Sequence, residues 1–152
     1  MIFVTTGTFA GFDTLMKKLD ELVSKKIIKE KIIAQIGNGN YKPKKFKWFR
    51  FSKTLLPYYR KADLIISHEG AGTLFEIITM NKKLIALENP ETIHNPDLIK
   101  KLSNKKYLLW CKNINNLEKC IKLSKKYNFK KYKNPPCRIQ NEINKYLDFF
   151  KS

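Results

Sequence analysis

The 152-residue sequence has few of the side chains that build metal sites or disulfide frameworks. It contains three cysteines, Cys111, Cys120 and Cys137, and two histidines, and no two of the cysteines form a C-x-x-C pair. Zinc sites and disulfide scaffolds depend on closely spaced Cys or His residues. We therefore predict no metal site, no disulfide framework and no cofactor.

Long apolar segments are also missing. No stretch approaches the roughly 20 consecutive apolar residues that cross a bilayer. Met1 leads directly into Ile2-Phe3-Val4 rather than into the basic and apolar regions of a secretion signal. We expect a cytoplasmic protein that is at most peripheral to a membrane.

Acidic residues and arginines are scarce relative to lysine. Asp and Glu number 13 against 31 Lys and Arg, which gives a formal net charge of +18, and the arginines are Arg50, Arg60 and Arg138. Such a surface attracts nucleic acid, anionic membranes and phosphate-bearing substrates. Because arginine supplies the bidentate forks that read bases, its scarcity favours diffuse attraction to anions over sequence-specific recognition. A genomic base composition that favours lysine codons explains the charge equally well.

The sequence does contain enough apolar residues, 43% of the total, for one buried core in a single domain over residues 1–152. Short apolar runs alternate with amphipathic segments from Met1 to about Leu123, which is typical of repeated βαβ units. We predict an α/β fold with a single doubly wound, mostly parallel, Rossmann-like sheet. Ligands of such sheets bind at the carboxyl ends of the strands.

The apolar runs and helical periodicities place the individual elements. The predicted strands are Met1–Thr5, Lys31–Ile36, Phe46–Phe51, Leu64–Ser67, Leu84–Leu87 and Tyr107–Trp110. The predicted helices are Asp13–Lys26, Thr54–Ala62, Thr73–Met80, Asn95–Leu102, Asn115–Lys126 and a C-terminal helix over Cys137–Phe150. The apolar stripe of that last helix either packs on the domain's own sheet or docks a partner chain, and both interpretations stay open.

The segment from Ser67 to Thr73, S-H-E-G-A-G-T, carries the clearest chemical signal. A strand ends there, two glycines let a ligand approach the backbone, and a helix begins whose free amides can hold an anion such as a diphosphate. Glu76, one turn later, is placed to accept hydrogen bonds from two neighbouring sugar hydroxyls. Alternatively, Glu76 closes a T-x-x-E capping box with Thr73.

A second glycine-bearing loop, Thr5–Gly11, follows the first strand. It lacks both the G-x-G-x-x-G pattern of dinucleotide-binding folds and the G-K-[ST] of P-loops, which disfavours dehydrogenases and NTPases. Alone it indicates a generic βα turn, whereas two such loops in one sheet favour phosphate binding. His68, beside the later loop, is a candidate catalytic residue, with a structural role at the strand end as the alternative.

These segments together resemble the glycosyltransferase family 28 C-terminal domain. The likeness is carried by V-T-T-G-T at 4–8, A-Q-I-G at 34–37, A-D-L-I-I-S-H-E-G-A-G-T at 62–73 with Glu76, and N-P-D-L at 95–98. Within the family, the sequence is similar to the catalytic subunit of the dolichol-linked N-acetylglucosaminyltransferase and to the small subunits of bacterial exopolysaccharide β-1,4-glycosyltransferases. The resemblance implies the half of a GT-B fold that binds a UDP-sugar, with a membrane-anchored partner subunit that binds the acceptor.

The resemblance also assigns roles to residues of this chain. Glu76 would bind the ribose hydroxyls, Phe51 and Ser52 the uracil edge, and Asn95 and Asp97 the transferred sugar, while His68 matches the family's histidine. The residues that would face the diphosphate are Thr6, Gly7, Thr8, Gly70, Ala71, Gly72 and Thr73. Since the sequence has no D-x-D pair, helix amides rather than a metal ion would neutralise that diphosphate.

The implied reaction is an inverting displacement at the anomeric carbon of a UDP-sugar by a hydroxyl of an anionic, lipid-diphosphate-linked acceptor. It would serve polysaccharide or glycan assembly at the cytoplasmic face of a membrane. One departure is Asn95-Pro96-Asp97-Leu98, where the family commonly has N-H-Q-L or D-H-Q-L. An ionised aspartate accepts but does not donate hydrogen bonds, unlike glutamine, so the resemblance does not fix the sugar.

Two other functions remain open at this stage. The same fold would suit a non-catalytic enhancer subunit, with Asp97 marking a weakened donor site. A nucleic-acid-binding module is supported by the charge and by the aromatic residues near Lys44–Arg50. We expect no nucleic-acid partner, because the lysines are spread along the chain and no recognised nucleic-acid motif is present.

Overall fold

Six parallel strands form one sheet in the computed structural model, which describes residues 1–90, 96–135 and 143. They are β1 (Ile2–Thr5), β2 (Ile32–Gln35), β3 (Lys47–Phe49), β4 (Leu64–His68), β5 (Leu84–Leu87) and β6 (Leu109–Cys111). They lie in the order β3-β2-β1-β4-β5-β6, and every neighbouring pair is parallel. The chain therefore starts at the centre of the sheet and reverses its direction of travel between β1 and β4, as in doubly wound folds.

The described helices alternate with the strands. They are α1 (Asp13–Ser24), α2 (Leu56–Lys61), α3 (Ala71–Thr79), α4 (Asp97–Asn104) and α5 (Leu117–Ser124), with one 3₁₀ turn at Ile114–Asn116. The predicted α/β class and single parallel sheet are confirmed, and the element ends shift by a few residues. The helix predicted over Cys137–Phe150 lies outside the described residues except for Ile143, so it stays a prediction. No described helix is long and apolar enough to span a bilayer.

Each face of the sheet carries its own core, because neighbouring residues of a strand point to opposite faces. On one face, Val4 and Ile66 pack with α1 and α5. On the other face, Phe3 and Ile65 pack with α2, α3 and α4. Strands covered on both sides are apolar at every position, which explains the uninterrupted runs in the sequence. This arrangement sends the loop after β1 towards one face and the loop after β4 towards the other.

The aromatic residues near Lys44–Arg50 take part in this packing. Phe46 and Trp48 are half-buried and pack against the core on the α1 side. Phe49 stacks with Phe3 at a ring-centroid distance of 6.3 Å and lies tilted against Tyr58 at 4.9 Å. These rings are therefore used in folding, which weakens the nucleic-acid alternative because it needs aromatic faces free to stack on bases.

Asp20 is a buried carboxylate on α1 that fastens the lysine-rich connection between β2 and β3. It accepts hydrogen bonds from Tyr41 Oη at 2.8 Å, from the Lys44 amide at 2.8 Å and from the Lys45 amide at 3.0 Å. Replacing Asp20 with asparagine keeps the shape but removes the charge and one acceptor oxygen. We expect the free energy of unfolding, measured by urea denaturation, to fall by about 1–2 kcal/mol.

A matched control for this substitution is Asp63→Asn. The Asp63 carboxylate is exposed and pairs with the N-terminal ammonium group, so its loss should change the free energy of unfolding much less. Equal losses in the two variants would contradict the fastening role of Asp20.

Candidate functional site

A crevice of about 300 Å³ opens between the loops that follow β1 and β4. It is lined by Thr6, Gly7, Thr8, Phe9, Ala10, His68, Glu69 and Gly70. This is the point where the strand order reverses, and ligands of doubly wound folds bind there. The structure thus brings together the two glycine-bearing loops that the sequence placed 60 residues apart.

Buried polar side chains form the floor beneath the crevice. Thr5 Oγ1 donates to Gln35 Oε1 at 2.7 Å, and Ser67 Oγ donates to the Thr5 carbonyl at 3.2 Å. Thr6 is also buried, and its amide and hydroxyl both donate to the Gln35 carbonyl, at 3.2 and 3.3 Å. The Thr6 side chain therefore braces the loop from below.

Gly7 and Gly70 make room for the imidazole ring of His68. Gly7 has a φ of +71°, and a Cβ placed on it would lie 3.1 Å from His68 Nε2. A Cβ placed on Gly70 would lie 3.2 Å from His68 Cε1. The ring is thus held between the two loops. The absence of side chains at these two glycines leaves space for the His68 ring as well as for any ligand.

Burial lowers the pKa of His68 below its ordinary value of 6.5, and the nearby Glu69 carboxylate opposes this shift. His68 Nδ1 is buried and has no hydrogen-bond partner within the described part of the chain. The imidazole is therefore neutral at neutral pH, which is the state that a general base requires.

This burial makes the stability of the fold depend on pH. Below pH 6.5 the unfolded chain binds a proton that the folded histidine resists, so the free energy of unfolding must fall as the pH falls. His68→Gln lacks this proton, and its stability should decline less steeply than that of the wild type, by up to about 1.4 kcal/mol per pH unit. Urea denaturation of both proteins from about pH 7 to pH 5 measures the difference. Parallel pH profiles would contradict a buried, neutral His68.

Helix α3 begins at the edge of the crevice, with Gly70 as its N-cap and no side-chain cap. The alternative that Glu76 closes a capping box with Thr73 is therefore wrong, because Thr73 is already the third residue of the helix. The helix starts earlier because Gly70 leads directly into it, and the Leu74 amide donates to the Gly70 carbonyl at 3.0 Å. The amides of Ala71, Gly72 and Thr73 lie before this first intrahelical bond, so they have no acceptor within the helix and can bind a ligand.

Gly72 is exposed at this helix start. A Cβ placed on it would have no other atom within 4 Å, so neither packing nor a positive φ explains the glycine. The described residues that line the crevice include no lysine or arginine. An anion bound here would therefore be held by backbone amides and the positive end of the α3 dipole.

Glu76 is exposed on α3, beside the buried hydroxyl of Tyr59 on α2. Burial first, and the Glu76 carboxylate second, raise the pKa of Tyr59.

Phe51 and Ser52 lie on the loop that leads into α2. Phe51 is 67% exposed, and Ser52 Oγ donates to the Thr54 carbonyl at 2.9 Å. These predicted nucleoside contacts lie outside the crevice lining.

The predicted sugar contacts follow β5. Asp97 is the first residue of α4 and is exposed, whereas Asn95 lies outside the described residues. Asn89, buried just after β5, donates from Nδ2 to the Gly11 carbonyl at 2.9 Å. This bond ties the end of β5 to the loop after β1, so the two segments lie at the same end of the crevice.

A third glycine-bearing turn, after β2, buttresses the loop after β1. Gly37 has a φ of +52°, and a Cβ on it would lie 2.4 Å from the Gly7 carbonyl oxygen. A Cβ on Gly11 would lie 2.3 Å from Gly39 Cα. The two backbones touch, so neither Gly37 nor Gly11 can carry a side chain without moving the crevice loop.

Two polar side chains complete this support, and neither was predicted from the sequence. Arg50 donates from Nη1 to the carbonyls of Gly37 and Gly39, at 2.9 and 3.0 Å. Asn38 donates from Nδ2 to the Phe9 carbonyl at 3.2 Å. The available signal was a Gly-Asn-Gly turn directly after a predicted strand, at the same sheet edge as the first loop. Phe9 was also missed, although it follows Thr8 in the glycine-bearing loop.

Three comparisons with known proteins bear on this site. The model of the glycosyltransferase family 28 C-terminal domain matches residues 1–148. The human UDP-N-acetylglucosamine transferase subunit ALG13 is 32% identical over 123 residues, which cover 72% of this chain and 11% of that protein. The chain thus spans about a tenth of the curated relative that it matches.

Solved structures agree on the fold. The solution structure of ALG13 superposes with a TM-score of 0.57 at 20% identity, covering 90% of this chain and 89% of that one. MurG of Acinetobacter baumannii superposes with a TM-score of 0.61 at 18% identity, covering 80% of this chain and 40% of MurG. At these identities the likeness is one of fold, and the fold corresponds to less than half of MurG.

Proposed function

Because this chain belongs to the glycosyltransferase family 28 C-terminal domains and has the fold of one half of a GT-B glycosyltransferase, we propose that it binds the UDP-sugar donor of a two-component inverting glycosyltransferase. The sugar is a hexose or N-acetylhexosamine, and the acceptor is a hydroxyl on a lipid-diphosphate-linked glycan. Because the human relative is named a UDP-N-acetylglucosamine transferase subunit, UDP-N-acetylglucosamine is the first donor to test.

The observation that carries the proposal is the start of α3 at the crevice. The first turn of this helix has three free backbone amides and no side-chain cap. It also contains Gly72, whose missing side chain leaves open space in front of the backbone. During displacement at the anomeric carbon, negative charge develops on the departing UDP. Preorganised amides stabilise that charge, and the described residues of the crevice lining include no lysine or arginine that could do so. Neutral His68 lies at the same crevice, so either it or the partner subunit supplies the base that takes the acceptor proton.

The second component is supported by the relatives and by the surface charge. The human relative is named as a subunit, and the chain corresponds to only 40% of MurG. We propose that a membrane-anchored partner subunit provides the acceptor-binding half and holds this domain at the cytoplasmic face of the membrane. Exposed lysines would add to this attachment, since each lysine near an anionic lipid surface contributes roughly 1 kcal/mol.

The test is a calorimetric titration of the purified chain with UDP, ADP and inorganic diphosphate. A chain of net charge +18 attracts any polyanion, so the titrations are repeated at low and high salt. We expect UDP to bind at least about tenfold more tightly than ADP, with an affinity ratio that salt changes little because both ligands are screened alike. Equal affinities that fall together with salt would show diffuse attraction and overturn the donor-binding proposal.

A turnover assay distinguishes a catalytic subunit from a non-catalytic enhancer. Transfer of labelled sugar from UDP-N-acetylglucosamine to a lipid-diphosphate acceptor is measured with the acceptor-binding subunit, with and without this chain. Transfer that stays undiminished at subsaturating donor when this chain's donor affinity has been lowered by Gly72→Ala would place the reaction elsewhere and make the chain an enhancer.

A further inference from the structure

Phe9 is the most exposed large apolar side chain among the described residues, at 94%. It stands at the tip of the loop after β1 and lines the mouth of the crevice together with Thr8 and Gly70. It makes no ring contact with another described aromatic residue. Because this ring stands in the crevice lining, it is available to pack against a ligand that enters the crevice.

The exposure of Phe9 does not come from a loose loop. Asn38 Nδ2 holds the Phe9 carbonyl, and Asn89 Nδ2 holds the Gly11 carbonyl two residues later. The backbone of Gly11 also rests against Gly39. The aromatic ring is therefore projected from a fixed support, which lowers the conformational cost of placing it against a ligand.

The topology indicates which part of the donor reaches Phe9. A nucleoside diphosphate sugar has its nucleoside and its sugar at opposite ends of the diphosphate. Of the proposed nucleoside contacts, Glu76 lies on α3 and Phe51 on the loop that leads into α2, and these two helices pack on the same face of the sheet. The loop that carries Phe9 leads to the other face of the sheet, and Asn89 joins it to the end of β5, the strand that precedes Asp97.

We propose that Phe9 packs against the transferred sugar and is a specificity-determining residue of the donor site. A pyranose ring offers a face of C–H groups, and an aromatic ring binds such a face through its large apolar surface and its negative π face. This inference rests on the proposed function and adds a contact at the sugar end of the same ligand.

The experiment compares UDP with UDP-N-acetylglucosamine as ligands of the wild type, Phe9→Ala and Phe9→Trp. In Phe9→Ala we expect the affinity for UDP-N-acetylglucosamine to fall about tenfold, while the affinity for UDP stays the same. Phe9→Trp should keep the preference because it retains an aromatic face. Leu123→Ala, which truncates another exposed apolar side chain on α5, is the matched control and should change neither affinity.

Each other outcome overturns the inference in a recognisable way. Equal losses of both affinities in Phe9→Ala would place the ring on the nucleotide, and unchanged affinities would place it on something other than the donor. A wild type that binds both ligands equally would show that the sugar adds no net affinity, and the inference would fail. A wild type that binds neither would refute the proposed function itself, whatever the variants do.

Asn38→Ala tests the support of the loop separately. It removes the side-chain amide that holds the Phe9 carbonyl but keeps the phenylalanine side chain itself. We expect it to lower the UDP-N-acetylglucosamine affinity by a smaller factor than Phe9→Ala. A larger loss of UDP affinity than of UDP-N-acetylglucosamine affinity in Asn38→Ala would show that the loop serves the diphosphate rather than the sugar.

Discussion

Replacing Gly72 with alanine should weaken UDP binding by about thirtyfold, close to 2 kcal/mol, without destabilising the fold. The new methyl group would point into open space, so the folded chain accommodates it without strain. Alanine is also the better helix former, which favours the folded state by about 0.5 kcal/mol. In the complex, the same methyl group would stand where the diphosphate approaches the α3 amides.

Calorimetric titration and thermal unfolding of the same Gly72→Ala protein separate the two effects. Gly7→Ala is the informative companion, because its methyl would meet His68 at a φ of +71° and should lower the melting temperature. Undiminished UDP affinity in a stable Gly72→Ala protein would mean that no ligand approaches this helix start, and the site would have to lie elsewhere along the crevice.

Replacing Glu76 with alanine should reduce UDP affinity by about a hundredfold, since two hydrogen bonds from ribose hydroxyls to a charged acceptor are lost together. Glu76→Gln keeps one acceptor oxygen, and we expect an intermediate loss of about tenfold. The free energy of unfolding should change by no more than about 0.5 kcal/mol, as for other exposed positions. Titration with UDP and urea denaturation of both variants measure the two quantities.

Two further titrations make the Glu76 result specific. Binding of 2′-deoxy-UDP to the wild type should be weaker, and Glu76→Ala should bind UDP and 2′-deoxy-UDP almost equally, because the ribose contact is already gone. Glu118→Gln, on the remote helix α5, is the control for charge alone. If it weakens UDP binding as much as Glu76→Gln does, the effect of Glu76 is one of overall charge and not of contact.

The family and the architecture were both accessible from local patterns. Uninterrupted apolar runs such as Leu64–Ile66 and Leu84–Leu87 can only be buried on both sides, which predicted a parallel sheet with helices on both faces. The glycine-bearing segments after β1 and β4 fall at strand ends, and strand ends share one edge of a parallel sheet. The crevice between them therefore followed from sequence spacing and topology alone.

The tertiary structure alone decided what each glycine does. Gly7 and Gly70 face the ring of His68, Gly11 and Gly37 face backbone from neighbouring loops, and Gly72 faces open space. In the sequence these residues look alike, because a missing Cβ matters only through the atoms that would have met it. For Gly7, Gly11 and Gly37 those atoms belong to segments tens of residues away, as does the Asn38 amide that holds the Phe9 carbonyl. Local periodicity therefore determined the sheet and its ligand edge, and long-range packing determined which residues of that edge are left open to a ligand.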